Sequence, residues 1–345
     1  MKKIVSVLMV CSIILSACGS DNKGSGTTSD DDVIKLKFAD YMPKSHFSSE
    51  NAQQVWVDKV NELTDGKVEI EYYPSEQLGK AADSLDLVNT GVADIVNVPQ
   101  AYVSGKMPLS SVVSLPGLVE ETEQGSLASF ELIKSEPVLE NDFIANDVVP
   151  VFAYTTSPYE FFSVKKPIEN LADLKGMKVR SQGGSANLQI EALGATPVTI
   201  STAEQYEALE RGTIDTTLSA LTSVSSYKLD EVVKYATSGA GGGTTLVFYL
   251  MDKEKWDSIP EDLQDKINQA TEEILADFIE KSMEYDEEIK ENLADEGIEF
   301  SELNQSEFSE ANEEVKDKWI EENKEKSRPA QETIDKFEDL LDEYK

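Results

Sequence analysis

From residue 34 the chain alternates strand-like and helix-like segments, and this alternation restricts the fold more than any other feature. "IKLKFADYM" alternates apolar and polar residues as a half-buried strand does. "SENAQQVWVDKVNELTDG" follows, with Trp56, Val60 and Leu63 on one helical face and Gly66 as a stop. "KVEIEYYP" alternates again, "KAADSLDLVNTG" is helical, and "VADIVNVP" has the apolar run of a buried strand. The same order returns in "VVPVFAYTT", "ENLADLKG", "MKVRSQ", "SANLQIEALGA", "TPVTI", "TAEQYEALERG" and "TIDTTLSAL". Strands alternating with short helices predict an α/β fold built on central sheets.

The order contains a quasi-repeat. "LVNTGVADIVNV" and "ALERGTIDTTLS" share a helix end, a glycine, two residues, an aspartate and a strand. Gly91 and Gly212 fit left-handed helix caps, and Asp94 and Asp215 enter the following strand at the same point. Two matched stretches predict two similar lobes with a cleft between them. Gly-capped helices before strands are also common, so the repeat by itself leaves coincidence open. Beyond "SGAGGGTTLVFYLM" the chain becomes helical, with Leu263, Ile267, Ala270, Ile274 and Phe278 along one face and acids and lysines opposite. The "GAGGG" run lacks the spacing and the lysine of a phosphate-binding loop, and reads as a mobile inter-lobe connection.

Before this body lies an export signal. Residues 1–17 carry two lysines, an apolar run from Ile4 to Leu15 and then small residues, which is too short for a comfortable membrane span. "LSAC" resembles a lipobox, with Cys18 as the lipidated residue; an ordinary signal peptide with an incidental cysteine is the alternative. Residues 18–32, rich in Gly, Ser and Asp, read as a flexible tether. The two-lobed body is expected over 33–345, lobe I spanning about 33–154 plus later segments and lobe II about 155–238 plus later segments.

Cys11 leaves with the signal and Cys18 carries lipid, so the exported body has no thiol, and its only histidine is His46. A zinc site, a Cys–His pair and a triad with a second histidine lack their components; no metal, cofactor or catalytic residue is expected. The formal charge is −35, or −37 without Lys2 and Lys3, and such a surface repels nucleic acids.

Basic charge comes almost entirely from lysine; the arginines are Arg180, Arg211 and Arg328. Arg180 ends the strand-like "MKVR" and precedes "SQGGSANL", a loop leading into a helix. In open α/β sheets ligands collect at the carboxyl ends of strands, and a guanidinium supplies a planar fork that a lysine does not. The alternative is a structural salt bridge to one of many nearby acids.

These residues also carry a family resemblance. "LKFADYMPKSHFSSENAQQVWVDKVNELTDGKVEIEYYPSEQLG", "LADLKGMKVRSQGG", "EALGATPVTISTAEQYEALERGTID" and "MDKEKWDSIPEDLQDKI" resemble, in that order, the DctP-type substrate-binding proteins of TRAP transporters, over roughly residues 34–340. The resemblance implies a two-lobed periplasmic-binding-protein-like fold with a central ligand cleft and a helical C-terminal region. It also implies an extracytoplasmic, monomeric, non-enzymatic receptor that passes a small organic acid to TRAP membrane subunits. Arg180 then binds the substrate carboxylate. Tyr41, Gln100, Tyr102, Thr202 and Ser219 fall at pocket positions, with Gln182 in the loop after Arg180. Tyr41 and Tyr102 have core packing as their alternative, and Ser201 with Glu204 fits a capping box that leaves Thr202 or Ser201 a cap.

The chain departs from better-known members in two places. Where many have a second arginine, it reads "SPYEFFSV", with Tyr159 and Phe162 as candidate cleft residues and one of Phe161 and Phe162 expected in core. Where many have "DGQEN", it reads "DTTLS". One cationic fork and several aromatics suit a monocarboxylate with an apolar or aromatic body. Lipidation would anchor the receptor on the outer face of the cytoplasmic membrane. The binding protein of an ATP-driven importer and a sensory receptor are alternatives that a neighbouring transporter gene would separate. An exported lipoprotein hydrolase is a more distant one, since neither a G-x-S-x-G elbow nor a metal-ligand cluster occurs.

Overall fold

The structure, a computed structural model, describes residues 33–345. The signal peptide, Cys18 and the tether lie outside the described residues. Among the described residues eleven strands form two sheets. They are β1 (Ile34–Asp40), β2 (Val68–Tyr73), β3 (Ile95–Pro99), β4 (Val148–Thr155), β5 (Glu160–Ser163), β6 (Lys178–Ser181), β7 (Thr196–Thr199), β8 (Thr216–Ser219), β9 (Tyr235–Ser238), β10 (Leu246–Asp252) and β11 (Glu299–Glu302).

The first sheet runs β2-β1-β3-β10-β4 and the second β7-β6-β8-β5-β9-β11. Over five strands they correspond: a parallel trio (β2-β1-β3; β7-β6-β8), then two strands each antiparallel to the one before; β11 adds a sixth, parallel strand to the second sheet. The quasi-repeat is therefore structural. Asp94 accepts the Lys37 N–H at 2.8 Å and returns its own N–H to the Lys37 carbonyl. Asp215 does the same with Lys178, at 3.0 Å. Each aspartate pins the first residue of its strand to the neighbouring strand, which explains why both lobes have an acid there. Gly91 and Gly212 take φ of 72° and 69° as caps.

Both faces of both sheets are covered. Along β10, Val247, Tyr249 and Met251 enter one apolar cluster while Leu246, Phe248 and Leu250 enter the cluster on the other face. Such double burial explains why β10 reads as a continuous apolar run, whereas β1 and β2, with exposed residues, alternate. The helix Glu261–Asp295 buries the predicted stripe from Leu263 to Phe278 against the first sheet, then Ile289 and Leu293 against the second. Its 35 residues span roughly 50 Å, enough to brace both lobes. No helix among the described residues is long and apolar enough to cross a membrane.

The chain passes from the first sheet to the second between Thr155 and Glu160 and returns between Ser238 and Leu246. The glycine run is thus an inter-lobe connection, but not a free loop: Gly242 and Gly243 are buried. A β-carbon at Gly242 would overlap the Tyr159 carbonyl oxygen, and one at Gly243 the Ser114 carbonyl oxygen. The two crossings bond to each other, Tyr159 N to Gly243 O at 3.2 Å and Thr156 N to Thr245 O at 3.0 Å. Close backbone approach, rather than mobility, accounts for the glycines.

Candidate functional site

The parallel strands point their carboxyl ends at the junction of the lobes. From the first lobe come Asp40 and Tyr41 at the end of β1 and Tyr102 just beyond β3; from the second come Arg180 on β6, Thr202 after β7 and Ser219 at the end of β8. The Tyr102 hydroxyl accepts the Thr202 N–H at 3.0 Å and lies 3.2 Å from Thr202 Oγ1, so the two sets meet.

Arg180 is wholly buried. Its Nε donates to the Ile200 carbonyl at 3.0 Å and Nη2 to Thr202 Oγ1 at 3.1 Å, while Nη1 has no partner among the described residues. Of five N–H donors, two are used, and those left include both on Nη1. Among the described residues Arg180 makes no ion pair, which removes the salt-bridge alternative there. Arg211 is the contrast: it is exposed and pairs with Glu207 one helical turn away. A buried guanidinium with no anion carries a desolvation penalty of several kcal/mol, and an incoming carboxylate would offset it.

Around Arg180 the network is closely connected. Ser201 forms the capping box with Glu204, which leaves Thr202 Oγ1 to accept from Arg180 and from Gln182 Nε2 at 2.8 Å. Gln182 Oε1 in turn accepts from Thr245 Oγ1 at 3.2 Å and the Tyr159 hydroxyl at 3.4 Å. Tyr41 packs edge-on against Tyr102, ring centroids 6.4 Å apart. Ser219 is buried on the Arg180 face of its sheet, two residues beyond Thr217, the register partner of Arg180.

Two expected cleft residues are placed differently. Phe162 is wholly buried among Ala208, Leu209, Val224 and Leu229, and is core. Phe161 is core on the opposite face, because this sheet is covered on both sides and leaves neither ring for the cleft. Gln100 is also buried and donates Nε2 to the Met107 carbonyl at 2.6 Å, so its amide holds the following loop.

Sequence reasoning missed Asp40, His46, Tyr154 and Tyr227. Asp40 is buried and accepts from Met42 N, Asn97, Tyr72 and Ser49; burial nevertheless pushes its pKa up to about 6. Burial lowers His46 to about 4 and raises Tyr227. Tyr227 lies within electrostatic reach of Asp40, Tyr102 and Arg180. The only signal for these residues was aromatic or polar character in otherwise unpatterned loops.

A larger cavity, about 710 Å³, lies elsewhere, lined by Glu120, Glu160, Asp286, Glu287 and Glu313 among others. Its acids disfavour an anion, and it contains none of the Arg180 network; the chemistry singles out Arg180.

Residues 38–323 match the family described as bacterial extracellular solute-binding protein, family 7 (DctP). The chain belongs to that family. Its members and the matched structures are solute-binding receptors, not enzymes. A solute-binding protein of Albidiferax ferrireducens is 27% identical over 213 residues, 61% of this chain and 62% of its own. The C4-dicarboxylate-binding periplasmic protein DctP of Rhodobacter capsulatus is 26% identical over 219 residues, 61% of this chain and 62% of its own. This chain thus spans less than two thirds of either relative. Among solved structures, a TRAP solute-binding protein from Rhodoferax ferrireducens T118 with copurified benzoate has a TM-score of 0.83 at 24% identity, covering 90% of this chain and 98% of its own. A marine-metagenome TRAP protein specific for aromatic acid ligands, bound to 3-hydroxybenzoate, has a TM-score of 0.82 at 27% identity, covering 90% and 99%. The two-lobed α/β family 7 fold is shared along nearly the whole body.

Proposed function

We propose that this family 7 protein is an extracytoplasmic receptor that binds a monocarboxylate through Arg180 and delivers it to a TRAP-type secondary transporter. The observation that carries the reading is a wholly buried guanidinium with an unpartnered Nη1 and, among the described residues, no ion pair. Tyr41, Tyr102, Tyr159 and Tyr227 supply apolar faces around a single cation, which favours one carboxylate on an aromatic or otherwise apolar body. The aromatic acids bound by the matched structures agree with that class.

The reading is tested by calorimetry with a panel of organic acids on the protein and its Arg180 variants. Losing one partner of a buried charged pair costs roughly 2–5 kcal/mol, or about 30- to 5,000-fold in affinity. Arg180→Ala is expected to fall in that range with its fold intact, and Arg180→Lys to be impaired because it loses the fork. Near-native affinity in folded Arg180→Ala would overturn the assignment. We propose further that Cys18 is lipidated and holds the receptor at the outer face of the cytoplasmic membrane; membrane fractionation of Cys18→Ala is the test.

A further inference from the structure

The Arg180 end of the cleft accounts for a carboxylate, and among the other buried polar atoms without a partner, His46 Nε2 and the Tyr227 hydroxyl belong to rings in contact with each other. His46 is 2% exposed, and its Nδ1 accepts the Ser48 N–H at 3.1 Å. A ring nitrogen that accepts carries no proton, so in the neutral imidazole the proton sits on Nε2. Burial keeps the ring neutral at physiological pH. Nε2–H is therefore a buried donor with no acceptor among the described residues. The Tyr227 hydroxyl is the second such group, and its ring centroid lies 5.6 Å from that of His46. His46 follows β1 in the first lobe, whereas Tyr227 follows β8 in the second, so the pair meets across the cleft. Native structures rarely leave buried polar groups unpaired without a reason.

The chemistry of the pair narrows what could satisfy it. Imidazole N–H only donates, while a phenol donates and accepts. The charged groups acting on the Tyr227 hydroxyl are Asp40 and Arg180. Asp40 already accepts four hydrogen bonds from the protein, so it is not an open ligand for a cation. A second carboxylate would be buried beside Asp40 without a cation of its own. An ammonium could not accept from His46. A hydroxyl satisfies both atoms, accepting from His46 Nε2–H and donating to the Tyr227 oxygen. We propose that His46 and Tyr227 bind a hydroxyl of the ligand, so that the cleft selects a hydroxylated monocarboxylic acid over its deoxy analogue. The proposal rests on the assignment of Arg180 to the carboxylate.

The test is calorimetry with matched pairs: 3-hydroxybenzoate and benzoate, 4-hydroxybenzoate and benzoate, mandelate and phenylacetate, 3-hydroxybutyrate and butyrate. The protein is expected to bind the hydroxylated member of at least one pair about fivefold tighter or more, the least that a paired rather than orphaned buried donor should contribute. His46→Phe and Tyr227→Phe, checked for fold by circular dichroism, are each expected to bring that ratio toward one. Arg180→Ala is expected to weaken both members alike. No hydroxyl preference in any pair, or a preference that survives His46→Phe, overturns the proposal. If binding still depends on Arg180 in that case, the receptor assignment stands. If no acid binds, both fall. The ratio in the unmutated protein decides the matter even where a variant does not fold.

Discussion

At the scale of single residues, burial has opposite consequences for acids and for histidine, and the signs are testable. Burial raises Asp40 and Asp142 to about 6 and Asp286 to about 7, each from a carboxylate value of 3.8. Between roughly pH 4 and 7 the folded state keeps protons that the unfolded chain has released, so these groups stabilise the fold at acid pH and lose that contribution as pH rises. His46 falls from 6.5 to about 4; its folded form binds fewer protons than the unfolded form, so its contribution grows with pH over that window. Three acids against one histidine predict a melting temperature that declines from pH 4.5 to 7.5. General repulsion in so acidic a chain acts in the same direction, so the informative measurement is a difference. Asp286 has only the Ser157 hydroxyl, at 3.3 Å, to stabilise its charge. Asp286→Asn should flatten the decline and add on the order of 1–3 kcal/mol at pH 8. Thermal melts of the variant with the unchanged slope would remove Asp286 from this account. Legibility differs sharply between residues. Arg180 could be picked out because arginine is scarce and its strand end was readable. His46 and Tyr227 could not, since "PKSHFSSE" and "SSYKLDE" carry no periodicity and the two rings meet only through tertiary structure. Phe162 was misplaced because alternation separates two faces without revealing that both are covered.

At the scale of elements, helices and parallel strands were written in the local pattern, and the strands that change partners were not. The Gly-x-x-Asp repeat was visible because each copy performs one local task, capping a helix and tying the next strand to its neighbour. That β5 and β10 occupy equivalent antiparallel positions in opposite sheets depends on where the chain crosses, which hydrophobic periodicity does not encode. The glycine run was recognised as a connection, but its tight packing was not. That packing predicts a specific sensitivity. Gly243→Ala would force a β-carbon against the Ser114 carbonyl oxygen, and overpacking of this kind typically costs roughly 1–3 kcal/mol. Gly105 has nothing within 4 Å of an added β-carbon and no positive φ, so Gly105→Ala should stay within about 0.5 kcal/mol of the unchanged protein. Equal thermal stability of the two variants would mean that the crossing relaxes easily and that the glycines serve mobility after all.

At the scale of the whole molecule, two braced lobes with a polar contact across their cleft suggest an equilibrium between open and closed arrangements. Two crossings that hydrogen-bond to each other confine the motion to a hinge, and the helix Glu261–Asp295 packs on both sheets and must flex with it or slide. Besides the His46–Tyr227 ring contact, hydrogen bonds across the cleft are few: Tyr102 meets Thr202 through its hydroxyl, and Ser185 donates to the Ser114 carbonyl at 3.0 Å. Net contributions of about 0.5–1.5 kcal/mol per hydrogen bond are too small to hold the lobes shut by themselves. They are sufficient to bias a closure, and Thr202 also receives the Arg180 bond, so closure would be coupled to the carboxylate site proposed at Arg180. A ligand shifts such an equilibrium only by its preference for the closed form. Small-angle scattering of the 313 residues from 33 to 345 should give a radius of gyration near 20 Å when closed. The free protein should be larger and contract when saturated with the acid that raises its melting temperature most. Tyr102→Phe removes both Thr202 contacts but leaves the fork, so it should enlarge the free form and weaken binding by roughly 5- to 150-fold, while the saturated form still contracts. Identical profiles with and without ligand, in both proteins, would mean that the lobes form one rigid body and that Tyr102 contributes to binding only as part of the wall.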